Sequence, residues 1–88
     1  MIIQAFDETD KIDENFVKLN ERALSIEETI ESLGLDELFT NVILLRINEL
    51  FTVYKKKAFD KEMQSHLFIL EVGIHELCMV LENVIKNK

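Results

Sequence analysis

The chain has no proline and only two glycines, Gly34 and Gly73, among its 88 residues. So few breakers leave few places for turns, which argues against many short strands and predicts a small number of long helices. The single cysteine, Cys78, has no intrachain partner, so no disulfide framework holds the domain together. Long apolar runs are lacking too: residues 42–45 and 67–70 are runs of four and residues 77–81 a run of five, against the ~20 that a membrane span requires. The opening MIIQAFDETD lacks the basic start and long apolar stretch of a secretory signal, and a cytoplasmic protein is expected.

Eighty-eight residues make one domain, 1–88, near the lower limit for independent folding, where only about 60% of the unfolded chain's surface is buried. That length argues against a multi-layer enzyme fold. Apolar residues make up 48% of the chain, too many for a disordered one. The formal net charge of −7 is unevenly placed. Residues 7–37 hold eleven acids (Asp7, Glu8, Asp10, Asp13, Glu14, Glu21, Glu27, Glu28, Glu31, Asp36, Glu37) against Lys11, Lys18 and Arg22, whereas the remainder is close to neutral. Nucleic acid and anionic lipid are polyanions that such a face repels, so direct binding to nucleic acid or a membrane is not expected.

From Ile12 the apolar residues step as Ile12, Phe16, Leu19, Ala23, Ile26, Ile30 and Leu33, alternating four and three. That spacing keeps one stripe against a partner helix and predicts a first helix over about 9–33. Asp7 or Thr9 is the expected cap, with acids in the first turn where the macrodipole favours them. Gly34 ends the helix, because glycine takes the left-handed conformation without penalty, and Leu35 folds back onto the last turn. Ser25 followed by Glu28 also fits a capping box, which would break the helix near residue 25. The unbroken heptad favours one helix.

Asp36 can cap a second helix over about 37–57, whose closing Lys55, Lys56 and Lys57 suit the negative end of the macrodipole. Its stripe of Leu44, Ile47, Phe51, Tyr54 and Ala58 is widened by Phe39, Val42, Ile43, Leu45, Leu50 and Val53. This helix is therefore expected to be the most enclosed. Asp60 can cap a third, about 60–86, with the stripe Met63, Leu67, Leu70, Ile74, Leu77, Leu81 and Val84. Phe68, Ile69, Val72, Met79 and Val80 lie off that stripe, and a helix with two apolar faces calls for two neighbours.

No glycine or proline marks the junction at residues 57–60, so an alternative joins the second and third helices into one rod of about 50 residues, roughly 75 Å long. Charge favours the folded-back arrangement. An antiparallel, up-down-up bundle sets the acidic start of helix one beside the lysine end of helix two. It also sets Lys86 and Lys88 at the end that carries Glu27, Glu28 and Glu31. The apolar opening, residues 1–6, reads as a short extended arm, either packed over the bundle or added as a strand to a partner.

Little in the sequence carries reaction chemistry. Glu62 with His66, and Glu71 with His75, are i, i+4 pairs that could share an ion. The two histidines, however, are nine residues apart, about 180° around a helix and ~13 Å along it, so one ion cannot use both pairs. No metal and no cofactor are expected. Cys78 sits inside Leu77, Cys78, Met79, Val80 and Leu81 with no histidine one turn away, the setting of a small buried hydrophobe. The three consecutive lysines are short of a phosphate-binding patch and read as a helix end.

Residues 12–22, IDENFVKLNER, resemble the first helix of the all-helical chorismate mutases, with Ile12 and Asp13, an apolar residue, Leu19 and Arg22 at similar spacing. The resemblance implies a cationic pocket for a dicarboxylate. This chain has Leu33 where the family carries a lysine, and its helix start is acidic. The implied site is incomplete, and no family is assigned on these eleven residues.

What remains is surplus apolar surface on an acidic helical bundle. The expectation is a small non-enzymatic module that regulates, inhibits or helps assemble another protein, homodimeric through its third helix, with Phe68, Ile69, Val72, His75 and Met79 at the interface. An alternative makes the first helix the active part. Asp13, Glu14, Glu21, Glu27, Glu28 and Glu31 would then mimic nucleic acid in a cationic groove.

Overall fold

The computed structural model describes residues 1–7, 12–35, 37–57 and 64–88. Among the described residues there are three helices and no strand: α1 (Glu14–Ser32), α2 (Leu38–Lys57) and α3 (Gln64–Lys86). The all-α expectation holds. α3 packs against both other helices, and α1 and α2 also touch each other. The longest dimension is 42 Å, so α2 and α3 are separate packed helices, and the ~75 Å rod is excluded.

α1 starts later than its periodicity suggested. Asp13 is its N-cap, with Oδ1 accepting the Asn15 N–H at 2.9 Å. The Asp13 N–H is itself held outside the helix by the Tyr54 hydroxyl, 2.9 Å away. Of the two expected caps, Asp7 is not helical, and Thr9 lies outside the described residues. The other end follows expectation closely. Gly34 has φ +67°, and the amides of Gly34 and Leu35 donate to the carbonyls of Glu31 and Ile30 at 3.2 and 3.0 Å. That pair of bonds closes a helix on a left-handed residue, and Leu35 is buried against the core as such an ending favours. No break occurs at Ser25.

α2 opens at Leu38, with the Glu37 carbonyl accepting the first helical bond from Asn41 at 3.1 Å; the expected cap Asp36 lies outside the described residues. Buried Thr40 secures the turn before it, its hydroxyl 2.9 and 2.8 Å from the carbonyls of Leu35 and Glu37. The expectation that this helix is the most enclosed fails. Ile43, Leu44, Ile47, Phe51 and Tyr54 are buried, but Leu38, Phe39, Val42 and Leu45 are exposed. One face is enough to close a small core, and the apolar residues beyond it find no cover.

α3 begins at Gln64, and its expected cap Asp60 and stripe residue Met63 fall outside the described residues. Ile74, Cys78 and Leu81 are buried, while Leu67, Leu70, Leu77 and Ile85 are half-buried against the same core. At the centre the Phe16 and Tyr54 rings stack with centroids 3.6 Å apart. Residues 1–7 form neither helix nor strand, yet Ile3 belongs to the buried core.

Candidate interaction surfaces

On α3 the residues expected at an interface divide into two groups. Phe68, Val72, His75 and Met79 recur at four- and three-residue steps, which places them along one face of a helix. Phe68 is 67% exposed and Ile69 65%, and Val72, Met79 and Val80 are also exposed. His75 is occupied at the border with α1, its Nδ1 lying 2.7 Å from an Arg22 guanidinium nitrogen. Arginine carries donors only, so Nδ1 is the acceptor there. The four apolar members share an open surface, and His75 edges it.

Arg22 does more than touch His75. Its Nε donates to Glu82 Oε2 at 3.1 Å and a second nitrogen donates to the other carboxylate oxygen, a two-pronged bridge from α1 to α3. That bond raises the Arg22 pKa and lowers that of Glu82, and burial opposes both shifts. Beneath the bridge, burial pushes the Cys78 thiol up to about 11, with Arg22 pulling the other way. A buried thiol in this range stays protonated at neutral pH.

The second candidate lies between α1 and α2, and sequence reasoning did not find it. Glu27, only 2% exposed, accepts the backbone N–H groups of Ile2 and Ile3 at 2.7 and 3.1 Å. Asn20, also buried, accepts from the Phe6 N–H at 3.1 Å and donates to the Gln4 carbonyl at 3.0 Å. Asn48 of α2 accepts from the Gln4 N–H at 2.9 Å. Three helix side chains thus satisfy backbone groups of residues 2–6. Phe6 packs edge-on against Phe51 with centroids 5.2 Å apart, and the Lys55 ammonium sits 5.1 Å over its ring.

A signal for this site was present. Phe16, Asn20, Ala23, Glu27 and Ile30 also alternate four and three, a second heptad line beside the apolar one, and all five are buried. Two polar residues on that line hid it. Glu27 is accordingly withdrawn from the acidic surface of the nucleic-acid-mimic alternative, because its carboxylate faces inward to amides. Asp13 is engaged as a cap, while Glu14, Glu21, Glu28 and Glu31 remain exposed.

Two clefts border the segment. One, ≈ 480 Å³, is lined by Met1, Ile2, Glu27, Ile30, Glu31, Asn41 and Leu44. The other, ≈ 310 Å³, is lined by residues that include Ala5, Phe6, Ile12, Asn20 and Leu24. Among the described residues no three of His, Cys, Asp and Glu gather as a metal site; Glu62, of the Glu62–His66 pair, lies outside them. No helix among these residues is long and apolar enough to cross a membrane.

No family model, curated protein or solved structure matches the chain.

Proposed function

We propose that this protein is a small non-enzymatic interaction module that regulates, inhibits or helps assemble a protein partner through the apolar outer face of α3, and that it forms a homodimer there. In this reading the helices run up, down and up, and the protein acts in the cytoplasm, where a lone thiol stays reduced. The supporting observation is the exposure of Phe68, Ile69, Val72, Met79 and Val80 together on one helix. Scattered exposed apolar residues need no explanation, but five within thirteen positions of one helix do. Helix-face recognition is the mode that such spacing serves.

The test is size-exclusion chromatography with light scattering at micromolar concentration. The wild type is expected to run as a dimer, and Phe68→Glu and Val72→Glu as monomers with unchanged helical circular dichroism. A wild type that stays monomeric at 100 micromolar (roughly the upper range for a useful weak dimer, about −5.5 kcal/mol) removes the homodimer. Dimers unaffected by both substitutions would place the contact elsewhere.

A further inference from the structure

Resting on the α3 homodimer reading, we propose that the two copies meet with their α3 helices antiparallel and the two-fold axis passing between Val72 and His75, so that each copy's Glu71 is seated against the other's His75 and Arg22.

The outer face of α3 is self-complementary in one register. Phe68, Val72, His75 and Met79 form its central line, and exposed Ile69 and Val80 lie along one edge. An antiparallel copy turned about that axis brings Phe68 opposite Met79 and Val72 opposite His75, each contact made twice as a two-fold interface requires. Ile69 then comes within two residues' rise, about 3 Å, of the other chain's Val80. All five exposed apolar residues are covered by this one placement. Sliding the copy by one heptad either sets Phe68 against Lys86 or pairs His75 with Ser65, and in both cases the contact of Phe68 with Met79 is not made.

Charge chooses the orientation. Glu71, His75 and Glu82 recur at steps of four and seven and so share the other edge of the face, where Arg22 bonds both His75 and Glu82. Glu71 forms no ion pair among the described residues. An antiparallel two-fold lays each edge against the same edge of its partner. Glu71 of one chain then lies within about 1.5 Å of the height of His75 on the other, on the side that carries Arg22. Because His75 Nδ1 accepts from Arg22, the imidazole proton is on Nε2, a donor suited to a carboxylate. A parallel two-fold exchanges the edges. It would set Glu71 against Glu76, five residues on, and the two His75 side chains against each other with a guanidinium beside each. Like charges so placed oppose the parallel pair, and opposite charges favour the antiparallel one.

The experiment cross-links the full chain with a short bis-maleimide; native Cys78 is buried and does not compete. Phe68→Cys and Met79→Cys are expected to cross-link when mixed and neither alone, because two copies of either position lie about 16 Å apart along the helices. Ile69→Cys mixed with Val80→Cys repeats the test with Phe68 intact. Sedimentation equilibrium of Glu71→Lys, its helical circular dichroism unchanged, should show a dimer at least threefold weaker than wild type, whereas a parallel pair would tighten as the lysine met Glu76. Single variants that cross-link to themselves, or a tighter Glu71→Lys dimer, overturn the antiparallel pairing and leave the α3 dimer standing. A wild type that is monomeric by light scattering removes the dimer and this pairing with it. A wild-type dimer that cross-links in neither single nor mixed samples places the contact away from α3 and overturns both.

Discussion

α1 is the more polar helix and the better buried one, whereas α3 is the more apolar and the more open. Seven of the 19 residues of α1 are buried, Asn20 and Glu27 among them. Only Ile74, Cys78 and Leu81 are buried among the 23 of α3. Burial here does not follow hydropathy. α1 is covered by both other helices and, along its second heptad line, by residues 1–7. α3 also packs against both other helices, yet Phe68, Ile69, Val72, Met79 and Val80 of its second apolar face are exposed. The polar groups inside α1 hold the chain's own residues 2–6, whereas the apolar groups outside α3 have no such account within the monomer and carry the binding proposal.

The largest expected effect sets the two faces of α3 against each other. Ile74→Ala should cost about 2–5 kcal/mol, because it opens a cavity at a fully buried position. Ile69→Ala, two-thirds exposed, should stay within ~0.5 kcal/mol. Urea denaturation of both variants, at concentrations where the wild type is monomeric, measures the contrast. Equal losses would mean that the outer face is covered within the monomer.

Neighbouring glutamates on α1 give the next contrast. Glu27→Ala should cost about 1–3 kcal/mol, since the Ile2 and Ile3 amides lose their acceptor, and hydrogen exchange at those amides should accelerate. Glu28→Ala, at an exposed position, should change neither.

The two glycines should respond with opposite signs. Gly34→Ala forces a side chain into φ +67° at a cost of about 1–2 kcal/mol, although nothing obstructs the added methyl. At Gly73 the new methyl would meet a Leu50 methyl at 3.7 Å, an ordinary contact, so Gly73→Ala should stabilise by about 0.5–1 kcal/mol. Thermal melting of both variants reads the signs directly.

The smallest effect belongs to the bridge that joins the two helices. Arg22 lowers the Glu82 pKa, so the pair's contribution is fully present above the ordinary carboxylate value and is lost as pH falls through the lowered one. Both side chains are partly exposed, which limits the contribution to ~0–1 kcal/mol. The stability difference between wild type and Glu82→Gln should shrink on acidification from pH 6 to 3. A difference that grows on acidification would contradict the assigned direction.

Much of the fold was legible because its signals are local. The stripe from Phe16 to Ile30, the glycine ending at Gly34 and the lysine-rich close of α2 each depend on residues within a few positions of one another. The start of α1 was misplaced because its true cap is reinforced from 41 residues away, by Tyr54. The acidic alternative erred on Glu27 for a similar reason: a glutamate reads as a solvated group until two amides from the other end of the chain reach it.

The sequence by itself determined that this protein is helical, where its helices end, and that α3 carries two apolar faces. Periodicity and caps are short-range properties, and the chain states them directly. Only the tertiary structure decided which of those faces is covered, that Asn20 and Glu27 turn inward, and that they and Asn48 hold the backbone of residues 2–6. Those outcomes rest on which distant groups meet, and a buried carboxylate is tolerated only where such a meeting supplies its hydrogen bonds.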